Sequence, residues 1–148
     1  MISEHITYRE ATQSDTAIRK GILNVPDDIQ LRNMQILAEA VFEPLRTGLG
    51  GKPIRITSFF RSQELNSLVG GSKFSQHCAI NGAAMDIDNE NPTNKEIFNF
   101  INDNLVFDQL IIEYPDNEGN PSWVHVSYHE GHNRNEVLMC INGNYHKI

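Results

Sequence analysis

Three side chains in this sequence have the types and order to share one metal ion: His77 in "FSQHC", Asp86 in "GAAMDID" and His125 in "SWVHVSY". Imidazole nitrogen and carboxylate oxygen are donors that zinc accepts in hydrolytic sites, where three protein ligands leave a fourth position open for water. Such donors also admit other divalent ions, so zinc is expected from the chemistry and not fixed by the donors alone. Gly82, Ala83 and Ala84 lead into Asp86. They are small enough to let the backbone fold closely around an ion. Taken singly, each of the three candidates reads at least as well as a hydrogen-bonded core or surface side chain, and spacing does not separate the readings.

The elements that must position these residues follow from periodicity and turn chemistry. "SDTAIRKGI" predicts a short helix starting at Ser14 and stopping at Gly21, and Pro26 and Asp27 open a longer one. Leu31, Met34, Ala38, Val41 and Leu45 recur at helical spacing and are expected to face the core. "TGLGGKP" reads as a turn and "IRITSF" (54–59) as a strand. "SQELNSLVGG" predicts a helix closed by Gly70 and Gly71, and "AMDID" a short buried strand. Thr93 and Glu96 make a capping-box pattern before "IFNFINDNL". "FDQLIIEY" and "SWVHVSY" read as strands joined across "PDNEGNP" as a hairpin, and "EVLMCI" as the last strand. In "SWVHVSY", alternation puts Trp123, His125 and Ser127 on one face and Val124 and Val126 on the other, toward the core. Helices early and strands mostly later imply one α+β domain over residues 1–148, with a mainly antiparallel sheet flanked by helices.

Composition narrows the function classes. A chain of 148 residues suits one domain and can bury a core without disulfides. Its net charge of −7 opposes binding to nucleic acid and to anionic membrane surfaces. Cys78 and Cys140 form no CxxC pair and suggest neither a disulfide framework nor a thiolate zinc site. Cys78 reads as a small, partly buried thiol. No basic segment followed by an apolar run opens the sequence, so cytoplasmic synthesis without a signal peptide is expected. No apolar run reaches the length of a membrane span.

The stretches "SDTAIRKGI", "PLRTGLGGKPIRITSFFRS", "LNSLVGGSKFSQH", "GAAMDI", "FDQLI", "WVHVSY" and "NRNEVL" together resemble the M15 family of zinc peptidases, in particular its D-alanyl-D-alanine carboxypeptidase-like subfamily of phages and bacteria. Ser-x-x-Arg, Ser-x-His, Gly-x-Ala-x-Asp and Trp-x-His occur in the family's order. The resemblance implies a hedgehog/D-Ala-D-Ala-peptidase-like fold with its zinc site on the sheet face. It implies His77, Asp86 and His125 as ligands of Zn2+, and Arg61 as the arginine that grips the substrate carboxylate, a task suited to a bidentate guanidinium. Ser75 is expected to hydrogen-bond substrate, Ser58 to support Arg61, and Trp123 to line the cleft or pack in the core. The sequence departs from the family at "CAIN": four residues, not two, separate His77 from the glycine, so His77 and Asp86 lie nine apart. A two-residue bulge could leave both ligands in place or weaken the metal site. A glutamate shortly before the Trp-His pair is also missing. Glu113 is the best candidate for the general base, because hairpin pairing would put it on the face of His125; a strand-end surface carboxylate is the plainer reading. Asp88 is a candidate to orient a ligand histidine. His129 and His132 are expected in an exposed loop, and Asp108 and Gln109 carry no assigned role.

The expected function is a zinc peptidase cutting peptidoglycan stem peptides, as a D-Ala-D-Ala carboxypeptidase or an endolysin-type endopeptidase. Its partner is the peptidoglycan peptide and it is expected to be a monomer. If phage-encoded, it would reach the wall through a holin-type pore. The alternatives are a cytoplasmic D-Ala-D-Ala dipeptidase and a non-catalytic, zinc-containing wall-binding or virion module.

Overall fold

The computed structural model describes residues 1–148. Two short helices open the chain, α1 (Tyr8–Thr12) and α2 (Asp15–Lys20). The Ser14 hydroxyl caps α2 by accepting from the Ala17 N–H, and Gly21 closes it in the left-handed conformation. In α3 (Asp28–Leu37), Asp27 and Gln30 satisfy each other's backbone donors in a capping box. The helix then widens into a π turn (Ala38–Phe42) before α4 (Glu43–Gly48). Pro44 accounts for this. Its ring nitrogen cannot donate to the carbonyl four residues back, and the Glu43 N–H bonds Ala38 O instead. Met34, Leu37, Ala38, Val41 and Leu45 are buried along this composite helix, while Leu31 is half-buried at its margin.

Helix α5 (Gln63–Leu68) follows the first strand, and α6 (Asn94–Asn104) lies between the second and third. The strands are β1 (Ile56–Ser58), β2 (Ala83–Ile87), β3 (Gln109–Glu113), β4 (Trp123–Tyr128), β5 (Glu136–Ile141) and β6 (Asn144–Lys147), in the order β1-β2-β4-β3-β5-β6. The fold is α+β, but the sheet is mixed, which corrects the expectation of a mainly antiparallel one. β3 and β5 run parallel. β4 already has β2 on one edge and β3 on the other. The chain leaving β4 must therefore cross the start of β3 and pair with its free edge. Asn135 N donates to Phe107 O at 2.9 Å and Glu136 N to Asp108 O at 2.9 Å, which fixes that entry. β5 is not the last strand either. Asn142 and Gly143, both at positive φ, turn the chain into β6, whose exposed residues carry no apolar alternation to read.

The two sheet faces have different tasks. Met85, Ile87, Leu110, Ile112, Val124 and Val126 face α3, α4 and α6 and join a cluster of 24 buried side chains. The opposite face carries Ala84, Asp86, Ile111, Glu113, His125, Leu138 and Cys140, among which Ile111, Leu138 and Cys140 form a small apolar cluster of their own. No helix is long and apolar enough to cross a membrane.

Candidate metal centre and cleft

Register lays the site out in two cross-strand rows. One runs Ser58–Asp86–His125–Ile111–Leu138 from β1 to β5. The next runs Trp123–Glu113–Cys140–Tyr145 from β4 to β6. Residues opposite each other in a sheet project to the same side, so Asp86, His125 and Glu113 face one cleft. His77 reaches it from a 3-10 turn (Gln76–Cys78), where its own N–H donates to the Ser75 hydroxyl at 3.2 Å.

The three candidate ligands converge. His77 Nε2 lies 3.3 Å and His125 Nδ1 3.0 Å from Asp86 Oδ1, and one donor atom from each residue lies within 4.8 Å of the other two. The imidazole rings meet edge-on at 5.2 Å. His77 Nδ1 sits 2.8 Å from the Phe59 carbonyl, which can only accept a hydrogen bond, so Nδ1 carries the proton and the neutral ring turns its Nε2 lone pair toward Asp86. A backbone carbonyl orienting one ring nitrogen while the other faces the cleft is how metal-binding histidines are held. Burial also pushes the His77 pKa down, against the pull of Asp86, and favours the neutral imidazole that a metal needs. Burial would raise Asp86, but positive charge and donated hydrogen bonds from the imidazole side outweigh it whenever an imidazole is protonated and hold the carboxyl well below the usual range, the place a bound cation would take when both rings are neutral. Two nitrogens and one carboxylate oxygen at this spacing fit a divalent ion with an open position.

The "CAIN" segment closes this arrangement rather than disrupting it. Ala79 turns in the left-handed region. Gln30 of α3 donates to Cys78 O at 3.0 Å, and Asn33 donates to Ala79 O at 2.9 Å and Ile80 O at 3.3 Å. Polar side chains of the core helix thus hold the segment against α3, with Cys78 and Ala79 buried and Ile80 exposed, while His77 and Asp86 stay together. Gly82 follows at φ +79, and a Cβ there would lie 2.3 Å from Tyr128 O. Only glycine lets β2 begin so close to the end of β4.

Arg61 lies on the β1 side of the donors. Its Nη2 is 3.7 Å from Asp86 Oδ2, Nη1 donates to Asn66 Oδ1 at 3.1 Å, and Nε donates to Ser58 Oγ at 3.4 Å. Asn66 is a buried residue that sequence reasoning passed over. Its amide also donates to Ser72 O at 2.8 Å, and a Cβ at Gly71 would approach its oxygen to 2.0 Å. A lone Asn on the buried side of a short helix was the available signal. Glu113 is buried on the opposite side of His125, and that burial pushes its pKa up. Trp123 is half-buried beside Tyr114, ring centroids 5.3 Å apart. Arg61, Ser75, His77, Asp86, Glu113, Trp123 and His125 all line one cleft of about 870 Å³. Asp88 does not. β2 ends at Ile87, and Asp88 pairs with Arg55 at 3.0 Å and accepts from Asn94 at 2.9 Å, so it orients no ligand histidine. Cys78 is fully buried, not partly.

Asp108, which the sequence left without a role, is the hub at one end of the cleft. Its carboxylate accepts from Arg134 Nε at 2.8 Å, Arg134 Nη2 at 2.9 Å, Arg134 N at 3.0 Å and Gln76 Nε2 at 2.8 Å. It therefore ties the His77 turn to the loop that enters β5. Burial raises its pKa, but the Arg134 and Gln76 hydrogen bonds outweigh burial and hold it at about 2, against an ordinary 3.8. A depressed carboxylate stabilises the fold above its unfolded pKa and loses that contribution as pH falls through the folded one. Thermal melts are expected to show Asp108→Asn less stable than the native chain at neutral pH, with the gap closing between about pH 4 and pH 2. A gap unchanged over that window would refute the charge role.

A family model described as Peptidase M15 matches residues 4–127. No curated protein matches the chain. The match covers most of the chain, including every candidate ligand and Glu113 and Arg61, and the protein belongs to the Peptidase M15 family, a family of peptidases.

Proposed function

We propose that the protein is a zinc-dependent peptidase acting on peptidoglycan stem peptides, as a D-Ala-D-Ala carboxypeptidase or an endolysin-type endopeptidase. One observation carries the reading. The donor atoms of His77, Asp86 and His125 lie within one ion's reach, with Arg61 on the β1 side and Glu113 on the β3 side of the same cleft. Membership of a peptidase family supports it. A zinc ion held by the three would supply Lewis-acid polarisation of the scissile carbonyl and of the attacking water.

The remaining steps belong to the chain. Glu113 takes the proton of the attacking water and returns it to the leaving amine. Its raised pKa moves it toward the range where a carboxylate can do both. Arg61 presents guanidinium N–H groups to the substrate's terminal carboxylate, and Ser58 and Asn66 hold its plane in place. Ser75 lines the cleft beside His77, but its hydroxyl already caps the turn of His77. Its part is to hold that ligand, with substrate contact through its free donor.

The test is metal content together with hydrolysis of a pentapeptide ending in D-Ala-D-Ala. About one zinc per chain is expected, with cleavage lost on chelation and restored by zinc. A chain that takes up no zinc overturns the reading. A zinc-loaded chain that cleaves no stem-peptide bond overturns it in favour of a non-catalytic wall-binding module.

A further inference from the structure

The row that carries Glu113 continues outward into strands that the family match does not reach. Residues 136–147 form β5 and β6, beyond the matched residues 4–127. Cys140 stands directly across from Glu113 in the parallel β3–β5 register, and Tyr145 directly across from Cys140. The Tyr114 N–H donates to Cys140 O at 2.9 Å, which locks this register at the position of the base. Cys140 and Glu113 are both buried, on the cleft face and outside the main core. Neighbouring strands lie about 4.8 Å apart, so side chains at paired positions on one face are neighbours.

Building on the peptidase reading, we infer that Cys140 is a positioning residue for the base, its thiol donating a hydrogen bond to the Glu113 carboxylate from the adjacent strand. The Glu113 carboxylate opens on the cleft, and a donor beside it on the sheet would fix its orientation there. No hydroxyl or amide side chain pairs with Glu113 in the sheet, where its opposite numbers are Trp123 and Cys140. The thiol is the donor that register supplies. Sulfur suits the place. It is a weak donor that fills apolar space beside Ile111 and Leu138, and it orients the carboxylate without holding its proton affinity down as an ammonium would. Burial first, and then Glu113, push the thiol's pKa up, so it keeps its proton where the enzyme works. The remaining titratable groups facing it are Tyr114 and Tyr145, both held above the ordinary tyrosine value and therefore neutral. Lys147, one pleat further along β6, is engaged by Glu136 at 3.7 Å.

Two measurements test this. The first needs neither metal nor turnover: the S–H stretching band of Cys140 in the metal-free protein, identified by its absence in Cys140→Ser. It is expected to move on Glu113→Gln while the band of Cys78 stays in place. An unmoved Cys140 band overturns the inference. The second compares Cys140→Val with Cys140→Ser. Valine keeps the packing and removes the donor, so kcat is expected to fall roughly tenfold, the lower end for partners that orient a site group, with KM and zinc content unchanged. Serine restores a donor and most of that loss. A purely packing role predicts the reverse order, valine at or above serine, and that order overturns the inference. If the native chain cleaves nothing, the peptidase reading falls, and the band still decides whether the thiol holds Glu113.

Discussion

Glu113→Gln is expected to lower stem-peptide hydrolysis by roughly two to four orders of magnitude, the range that a positioned general base contributes, while zinc content stays at the native level. Glutamine has nearly the same shape and can accept from a donor, but it cannot take a proton. The loss should appear in kcat, because nothing that binds the substrate carboxylate is touched; Arg61 lies across β4 and β2 from Glu113. The same substitution has a stability signature of opposite sign. Burial raises the Glu113 pKa in the folded chain. A raised carboxylate contributes full stability below its unfolded pKa, near the ordinary 4.5, and loses it as pH rises through the folded value. In metal-free protein, Glu113→Gln should therefore melt with the native chain near pH 4 and above it near pH 7. A functional group kept at a cost in stability is the expected pattern for an active site. Native-level hydrolysis by this variant would remove Glu113 from the reaction.

The part of this site that lies within single elements was legible in the sequence. Strand alternation alone put Val124 and Val126 in the core and His125 in the cleft, and hairpin reasoning put Glu113 on the His125 face. Helix ends were equally readable, because caps are local: Ser14, Gly21, Asp27 and Thr93 all sit at the termini their chemistry suggests. The choice of His77 and Asp86 came from the family's motif order, since nothing local says that a 3-10 turn and a strand will meet.

What escaped was set by pairing between distant segments. The parallel β3–β5 contact depends on β4 being enclosed by β2 and β3, a fact of sheet order that no window of sequence contains. β6 escaped because its residues are exposed and follow no binary pattern, although the Asn142–Gly143 turn before it was a usable hairpin signal. The hydrogen bonds of Asn66 to Arg61 and of Asp108 to Gln76 and Arg134 were invisible for the same reason. Polar residues on short elements announce a partner only when the fold supplies one. The "CAIN" insertion shows the converse. Its tolerance rests on Gln30 and Asn33, polar positions flanking the apolar stripe of α3 that look like ordinary solvated helix residues in the sequence.

Asp86→Asn is expected to cost the chain its metal. Asp86 is the one anion among the three donors, and both imidazole nitrogens that face the site face its Oδ1, at 3.3 and 3.0 Å. Asparagine keeps the shape and one oxygen but removes the charge that offsets a divalent cation in a half-buried pocket. Altering a partner one step removed from a ligand already costs 10–100-fold in metal affinity, so losing the carboxylate ligand should cost more than about a hundredfold, measured by competition with a chelator. Hydrolysis should fall with occupancy and return only in part at high zinc. The fold should survive. Asp86 points into the cleft, and the side chains beside it on β2, Met85 and Ile87, carry the core contacts on the other face. Far-ultraviolet circular dichroism should therefore match the native chain. Asp86→Ala should lose affinity further, since it leaves two imidazoles beside the Arg61 guanidinium with no carboxylate between them. Native zinc affinity in Asp86→Asn would mean that the two histidines hold the ion with some other oxygen. Asp86 would then be left as the partner that keeps Arg61 and the imidazoles in place.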